Sequence, residues 1–275
     1  MYRAVLVPAC LAFGGGEAMI PPGASAGQSF TLTVENEWYL GWASGIALSG
    51  ITHDEGEDRI WIVSSTTDKL YRVSPSDPLV VEETIDVPGD WGSGIAARGY
   101  GAERYIYLVD GNIQGSYYAY HDGSWIFYSG NPASEYGTGL DVEDNGMLWE
   151  SVHDYGLMRF YPGSSTFTGF EYHTPGATGS GVTLFPWEDG TGVAVSLQNY
   201  NKLEFFVFEP PDSLVFLGDA DIPVSVDFCS GLEYVSSRAT FYLTVRISGL
   251  MHMLEVGCDV LELRQDTWGS IKTAM

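Results

Sequence analysis

The stretch Gly139-Leu140-Asp141-Val142-Glu143-Asp144-Asn145-Gly146-Met147-Leu148-Trp149 decides the fold of this chain. It contains a short apolar segment, an Asn-Gly pair, and a second apolar segment that ends on a tryptophan. Asn-Gly tolerates the positive φ angles of a type I′ turn, so this pattern predicts a β-hairpin. The stretch lacks the alternating ligand spacing and the distant Glu of an EF-hand, so it does not predict a calcium loop.

With the preceding Thr138, this hairpin opens on a triplet of a small hydroxyl residue, a glycine and an aliphatic residue. Five such triplets occur in the chain: Ser44-Gly45-Ile46, Ser93-Gly94-Ile95, Thr138-Gly139-Leu140, Ser180-Gly181-Val182 and Ser230-Gly231-Leu232. Their glycines are 49, 45, 42 and 50 residues apart. A period near ~45 residues, with strands inside it, is typical of propeller blades. The sequence therefore predicts an all-β fold, a five-bladed β-propeller of four-stranded antiparallel blades that forms a single domain over residues 27–265.

The second predicted strand of most repeats carries an aromatic residue at one position: Trp61, Tyr107, Trp149 and Tyr242, with Ala194 in the fourth repeat. We expect these aromatic residues to be buried between neighbouring sheets. The outermost strand of the last blade has two candidates. One is the alternating segment Phe30–Val34 near the N-terminus, which would close the ring by pairing the two ends of the chain, and the other is Val260–Leu263.

The repeat resembles those of a known group of propellers. The Gly-aliphatic opening, the aromatic second strand and the third strand Leu157-Met158-Arg159-Phe160-Tyr161-Pro162 are similar to repeats of the NHL and virginiamycin B lyase-like superfamily. The resemblance is strongest from Gly139 to Pro162 and implies the same architecture over most of residues 45–255. Lyase activity in that group depends on a particular His and Glu pair, and both cannot be placed in this sequence, so the resemblance implies no activity.

The charge balance excludes several classes of partner. The chain has 36 acidic and 12 basic residues in 275, a formal net charge of −24. Such a surface repels nucleic acid and anionic lipid, and is typical either of solubility or of cation binding. No apolar run reaches the ~18–20 residues of a membrane-spanning helix. A Gly-rich phosphate loop, a zinc Cys/His set and a nucleophile elbow are all missing from the sequence, so no cofactor and no metal are predicted.

Both ends of the chain carry features of exported proteins. Arg3, the apolar segment Ala4–Phe13 and the small residues Ala24-Ser25-Ala26 predict a signal peptide over residues 1–26, and hence a secreted, periplasmic or extracellular protein. Residues 266–275 form a predicted tail whose Trp-Gly-x-Ile-Lys motif resembles the ends of secreted proteins in some bacterial lineages. In an oxidising compartment Cys229 and Cys258 could pair.

Aromatic and neutral polar residues form the predicted binding site. Aromatic residues lie two positions before the small hydroxyl residue of four repeats: Trp42, Trp91, Tyr136 and Phe228. Polar residues lie in the loops between second and third strands: Asp110, Asn112, His153, Asp154, Gln198 and Asn199. In propellers these loops and the connections between blades usually share one face, so the residues could bind a carbohydrate or a protein. Alternatively, the aromatic residues pack one blade against the next.

Two acids provide the alternative, enzymatic hypothesis. Asp141 and Glu233 lie at the second position after the repeat glycine, where the other repeats have Ala47, Ala96 and Thr183. Paired carboxylates can hydrolyse glycosides, so a glycoside hydrolase or polysaccharide lyase using these acids and His153 is possible, as is a structural or cation-linked role. The leading prediction is a monomeric, secreted binding module without catalysis.

Overall fold

The computed structural model describes residues 28–89, 91–99, 103–111, 116–129, 137–153, 155–164, 166–187 and 190–260. Five sheets, each with four antiparallel blade strands, are arranged around a common axis, so the predicted five-bladed β-propeller is confirmed. The signal peptide, the C-terminal tail, Tyr136, Asn112 and Asp154 lie outside the described residues. None of the helices in the described part of the chain is long and apolar enough to cross a membrane.

The strands follow the repeats closely. Before the first blade lie β1 (Gln28–Ser29), β2 (Leu32–Tyr39) and a 3-10 turn (Gly41–Ala43). Blade 1 contains β3 (Leu48–Asp54), β4 (Arg59–Ser64), β5 (Lys69–Ser74) and β6 (Asp77–Asp86). Blade 2 contains β7 (Gly92–Arg98), β8 (Tyr105–Asp110), β9 (Ser116–His121) and β10 (Ser124–Ser129).

The last three blades repeat this order from the axis outwards. Blade 3 contains β11 (Gly137–Val142), β12 (Leu148–Val152), β13 (Gly156–Phe160) and β14 (Phe167–Phe170). Blade 4 contains β15 (Gly179–Trp187), β16 (Gly190–Leu197), β17 (Lys202–Glu209) and β18 (Ser213–Asp221). Blade 5 contains β19 (Phe228–Val235), β20 (Thr240–Ile247) and β21 (Leu250–Cys258).

The N-terminal strand β2 completes blade 5. It pairs antiparallel with β21, from Leu32 opposite Cys258 to Tyr39 opposite His252. The two ends of the chain therefore close the ring, which was one of the two arrangements predicted from the sequence. β1 in turn adds to the outside of blade 4 as a parallel neighbour of β18.

Five glycines on the innermost strands bring the blades together at the axis. They are Gly50, Gly94, Gly139, Gly181 and Gly231, and each follows a bulge in the pairing of its strand with the next one outwards. A Cβ added at Gly139 would lie 2.5 Å from the Cα of Gly181, and one at Gly94 would lie 2.7 Å from the carbonyl carbon of Gly139. Since each glycine is pressed against the backbone of the following blade, only a residue without a side chain fits.

The prediction that Ser44-Gly45-Ile46 opens blade 1 is wrong. The glycine that joins this ring in blade 1 is Gly50, within Ser49-Gly50-Ile51, whereas Gly45 lies before the first strand, with φ +74° and open space around it. Both triplets match the sequence pattern, five residues apart. The residue equivalent to Asp141 in blade 1 is therefore Thr52 and not Ala47.

The small hydroxyl residue of the triplet links one blade to the next. Ser49 donates a hydrogen bond to the carbonyl of Gly92 (2.6 Å), and Ser93 donates one to the carbonyl of Gly137 (2.5 Å). Thr138 continues the series with a 2.9 Å bond to the carbonyl of Gly179. The repeated triplet is thus explained by packing: the glycine permits close approach and the hydroxyl satisfies a carbonyl of the neighbouring strand.

The second-strand aromatic residues are buried, as predicted. Trp61, Trp149 and Tyr242 are fully buried and Tyr107 is 7 % exposed. Their rings fill the space between adjacent sheets, which is where a propeller builds its hydrophobic core. Cys229 and Cys258 are both buried, and they form no disulfide with each other.

Candidate functional site

Two cavities open at opposite ends of the central channel. The first, of about 660 Å³, is formed by the beginnings of the innermost strands and the loops that follow the second strands. We call it the hydroxyl cavity because its wall includes all five hydroxyl residues of the inner-strand triplets: Ser49, Ser93, Thr138, Ser180 and Ser230. The second, of about 680 Å³, is formed where the innermost strands end, and we call it the acid cavity.

The hydroxyl cavity combines aromatic and neutral polar groups. Trp91 lies at its wall with 49 % of its surface exposed, and the half-buried Phe228 contributes a second ring. His153 and Gln198 extend into its lining from loops of blades 3 and 4. Among the described residues that line it there is no Asp, Glu, Lys or Arg. In a chain with 36 acidic residues, the described part of this cavity wall is therefore an uncharged surface.

The structure brings only some of the predicted binding residues together. Trp91 and His153 line the hydroxyl cavity, but Trp42 lies away from it. The Trp42 ring packs 4.9 Å from the ring of Tyr71, and its Nε1 donates to the carbonyl of Pro78 (2.9 Å). Trp42 therefore holds the start of blade 1 in place.

Asp110 and Asn199 brace loops near the same face. Asp110 is almost fully buried, and a Cβ placed at Gly89 would lie 2.0 Å from one of its carboxylate oxygens. The Asn199 side chain accepts a hydrogen bond from the amide of Thr178 and donates one to the carbonyl of Gly176, both at 2.9 Å. These two residues shape the loops rather than the cavity wall.

Two acids, the half-buried Asp141 and the buried Glu233, meet at the acid cavity. Asp141 comes from blade 3 and Glu233 from blade 5, and Thr183 of blade 4 lies between them. The Thr183 Oγ1 is 3.1 Å from an Asp141 oxygen and 3.5 Å from a Glu233 oxygen. Their shared position two residues after the ring glycine places them at the same depth in the channel.

Burial controls the ionisation of this pair. It raises the pKa of Asp141 to about 6, against the opposing effect of hydrogen bonds from the amides of Leu184 and Val142. Burial and then the charge of Asp141 raise the pKa of Glu233 well above its ordinary value. Two such carboxyls resist being ionised together, because each charge is poorly solvated and repels the other.

The acids also hold neighbouring blades together. Asp141 accepts a hydrogen bond from the Leu184 amide of blade 4 (2.5 Å), and Glu233 accepts one from the His53 amide of blade 1 (2.8 Å). The equivalent threonines make the same contact. Thr52 accepts from the Ala97 amide and Thr183 from the Tyr234 amide, both at 2.9 Å. The second position after the ring glycine thus carries a hydrogen-bond acceptor for the next blade in four of the five blades.

His153 does not join the two acids, because it lines the hydroxyl cavity at the opposite end of the channel. A different histidine, His53, lines the acid cavity, with its Nε2 3.0 Å from a carboxylate oxygen of Asp58. In the sequence, His53 lies in an acidic segment typical of a solvated loop. Only its position at the end of an innermost strand could have indicated that it faces the channel.

We expect the stability of the protein to fall as the pH rises through the titration of Asp141. Between an ordinary pKa of 3.8 and the raised value of about 6, the folded chain holds a proton that the unfolded chain has released. The free energy of unfolding therefore decreases with rising pH in this window. Asp141→Asn has no carboxyl to ionise at this position. Its free energy of unfolding should therefore fall by up to ~3 kcal/mol less than that of the unchanged protein over this pH window. Denaturant melts at several pH values between about 4 and about 7 measure this difference.

Asp144→Asn is the control for that experiment, because Asp144 lines the same cavity with an exposed side chain. It should follow the pH profile of the unchanged protein. If Asp141→Asn follows that profile as well, the Asp141 carboxyl is not protonated in the folded state.

Comparisons with known proteins show that this chain shares its fold, and not its sequence, with solved structures. No family model matches it, and no curated protein matches its sequence. The crystal structure of Myxococcus xanthus glutaminyl cyclase is similar, with a TM-score of 0.64 at 12% identity over 85% of this chain and 98% of that chain. Regucalcin, a calcium-binding protein from Agrobacterium tumefaciens, has a TM-score of 0.52 at 11% identity over 84% of this chain and 97% of that chain.

Virginiamycin B lyase from Staphylococcus aureus is also among the similar structures, with a TM-score of 0.47 and 13% identity over 82% of this chain and 99% of that chain. The architecture that the sequence resemblance implied, a five-bladed propeller, is confirmed by the five sheets themselves. At these identities the likeness concerns the fold alone.

Proposed function

We propose that the protein is a recognition module that binds an uncharged, hydroxyl-bearing ligand, such as a sugar unit of a carbohydrate, in the hydroxyl cavity. The observation that supports this proposal is the absence of charged side chains among the described residues of the cavity wall. Anionic ligands would be repelled by the net charge of −24, and cationic ligands would find no carboxylate among those residues.

The chemistry of the wall fits such a ligand. A sugar ring presents an apolar face that stacks on an aromatic side chain, and Trp91 offers a half-exposed ring for this contact. The triplet hydroxyls donate their protons to backbone carbonyls, as Ser49 and Ser93 do. Their oxygens keep lone pairs that can accept hydrogen bonds from ligand hydroxyls. Ligand sites of this size usually combine apolar walls with a few polar groups.

Export belongs to the same proposal. The signal peptide predicted over residues 1–26 would deliver the module to the periplasm or the cell exterior, where polysaccharides are encountered. Nucleic acid is not a partner in this proposal, because a surface with this excess of acid repels phosphate backbones.

The experiment is a panel of neutral and acidic glycans, scored for retention and for product release. Neutral glycans should be retained without being cleaved. Trp91→Ala should weaken that retention by about tenfold, as expected when an aromatic contact worth ~1 kcal/mol or slightly more is lost. Tyr161→Ala, which removes an exposed ring outside the cavity, should have no effect. Retention of acidic glycans only, or an unchanged affinity of Trp91→Ala, would contradict the proposal.

Catalysis at the acid cavity is the second candidate function. It is favoured by one observation, the convergence of Asp141 and Glu233 with raised pKa values, because perturbed carboxyls in a cavity are typical of acid–base sites. A glycoside hydrolase would use one as acid and the other as base or nucleophile. Product release from any glycan, abolished by Asp141→Asn or Glu233→Gln, would establish this function in place of simple binding.

A further inference from the structure

The wall of the acid cavity has a large excess of negative charge. Its described residues include the guanidinium of Arg98 and six carboxylates: Asp54, Glu55, Asp141, Glu143, Asp144 and Glu233. Arginines outside the wall form ion pairs with Asp54 (3.0 Å) and Glu143 (2.5 Å), and the Arg98 side chain donates to a backbone carbonyl. Among the described residues, hydrogen bonds and not ion pairs hold Asp141 and Glu233. This pair therefore attracts a cation.

The hydrogen bonds around the acid pair leave Glu233 short of a donor. Thr183 Oγ1 accepts from the Tyr234 amide and has one proton to donate. It lies 3.1 Å from an Asp141 oxygen but 3.5 Å from Oε2 of Glu233, so the proton goes to Asp141. The His53 amide donates to the other Glu233 oxygen, Oε1 (2.8 Å). Oε2 of Glu233 therefore keeps acceptor capacity that the described residues do not use.

His53 supplies a second buried acceptor. Its side chain is 2 % exposed, and its Nε2 lies 3.0 Å from a carboxylate oxygen of Asp58. A carboxylate only accepts hydrogen bonds, so Nε2 carries the proton, and Nδ1 of the neutral ring is an acceptor. Nδ1 is buried and has no hydrogen-bond partner among the described residues. Since His53 lines the acid cavity, a ligand that brings N–H donors into this cavity would satisfy an acceptor that the fold leaves unpaired.

The size and lining of the cavity favour an organic cation over a metal ion. A calcium ion takes about 6–8 oxygen ligands, and in the described part of the chain no group of three or more His, Cys, Asp or Glu could hold a metal. The volume of about 680 Å³ is that of a small-molecule site. Phe185 and Tyr234, with ring centroids 6.3 Å apart, line it together with Leu184 and Pro186. The wall therefore offers apolar surface beside the carboxylates.

We propose that the acid cavity binds a primary organic ammonium ion that carries an aromatic or apolar group. The ammonium has three N–H donors, so it can donate to Asp141 and also supply the donor that Glu233 lacks. Its positive charge offsets the repulsion between the two carboxylates. The apolar group lies against the side of the wall formed by Phe185 and Tyr234. This is a second ligand site, at the opposite end of the channel from the hydroxyl cavity, and it takes a ligand of different charge.

Isothermal titration calorimetry with benzylammonium chloride, at low salt and a pH of about 8, tests the proposal. Benzylammonium should bind at one saturable site, and benzyl alcohol and benzoate at least about tenfold more weakly. Asp141→Asn and Glu233→Gln should each raise the dissociation constant at least about tenfold, because each removes a charge-assisted hydrogen bond. Asp221→Asn is the matched control. It removes one negative charge from an exposed position outside the cavity and should leave the affinity unchanged.

Three results would overturn the proposal: no saturable binding, equal binding of benzyl alcohol, or an affinity that neither acid variant changes. Displacement of benzylammonium by an equal concentration of calcium chloride would also overturn it, because the acids would then form a metal site.

Amide NMR shifts of the unchanged protein give a measurement that needs no variant. The amides of His53 and Leu184 donate to the two acids, so their resonances should shift on addition of benzylammonium. The resonance of Gly111, which lines the hydroxyl cavity, should not. Shifts confined to the hydroxyl cavity would contradict the proposal. Trp91→Ala should bind benzylammonium normally, and Asp141→Asn should retain glycans normally, so the tests of the two cavities are independent.

Discussion

Replacing Gly139 with alanine is expected to destabilise the propeller by ~3 kcal/mol or more. The added methyl group would lie 2.5 Å from the Cα of Gly181 and 2.7 Å from the amide nitrogen of Val182. Both are backbone atoms of the next innermost strand, so no side-chain rotation can relieve the contact. The two blades must move apart, which disturbs the packing of the whole ring, and overpacking of this kind typically costs 1 to ~3 kcal/mol or more. The free energy of unfolding from denaturant melts measures the loss.

Gly190→Ala is the control for the ring glycine. A Cβ at Gly190 would meet its nearest neighbour, the carbonyl oxygen of Trp187, at an ordinary distance of 3.6 Å. Since Ala restricts the unfolded chain more than Gly does, this variant should change stability by less than ~1 kcal/mol, in either direction. A similar effect of both substitutions would mean that the innermost strands are not in close contact at the axis.

The architecture could be predicted from the sequence because every blade solves the same packing problem. Each needs a glycine at the axis and a large side chain between the sheets, so Gly139 and Trp149 recur in equivalent forms at a regular spacing. The boundary of blade 1 could not be predicted in this way. Ser44-Gly45-Ile46 and Ser49-Gly50-Ile51 have the same local pattern, and only the contact of Gly50 with the carbonyl of Ser93 distinguishes them.

That one error also explains the prediction for Trp42. Counted back from Ser44, Trp42 occupies the position of Trp91, but counted back from Ser49 this position belongs to Ala47. Ala47 and Trp91 both line the hydroxyl cavity, and Trp42 does not. A correct boundary for blade 1 would have removed Trp42 from the predicted binding site.

The candidate acid site was predictable in part. Asp141 and Glu233 share a strand position, and equivalent positions on innermost strands lie at the same depth in the channel, so their proximity followed from the repeat. His153 lies at the end of a second strand. Because neighbouring strands are antiparallel, the end of a second strand and the end of a first strand point to opposite faces. The direction of the strands therefore separates His153 from the acids, with which the alternative, enzymatic hypothesis had grouped it.

Replacing Trp149 with alanine is expected to cost ~3–5 kcal/mol of stability, as deletions of large buried rings do. The indole is fully buried, stacks on Phe170 at 5.4 Å and contacts Phe208 of the next blade edge-on at 5.3 Å. Its Nε1 donates a hydrogen bond to a Glu143 oxygen (2.7 Å). Trp149→Phe keeps an aromatic ring but loses this hydrogen bond, so it should cost less stability than Trp149→Ala.

Trp91→Ala is the control, and it should change stability by less than ~1 kcal/mol because that ring is half exposed. Denaturant melts of the three variants compare these losses, and a cost below ~1 kcal/mol for Trp149→Ala would show that its ring does not lie between blades 3 and 4.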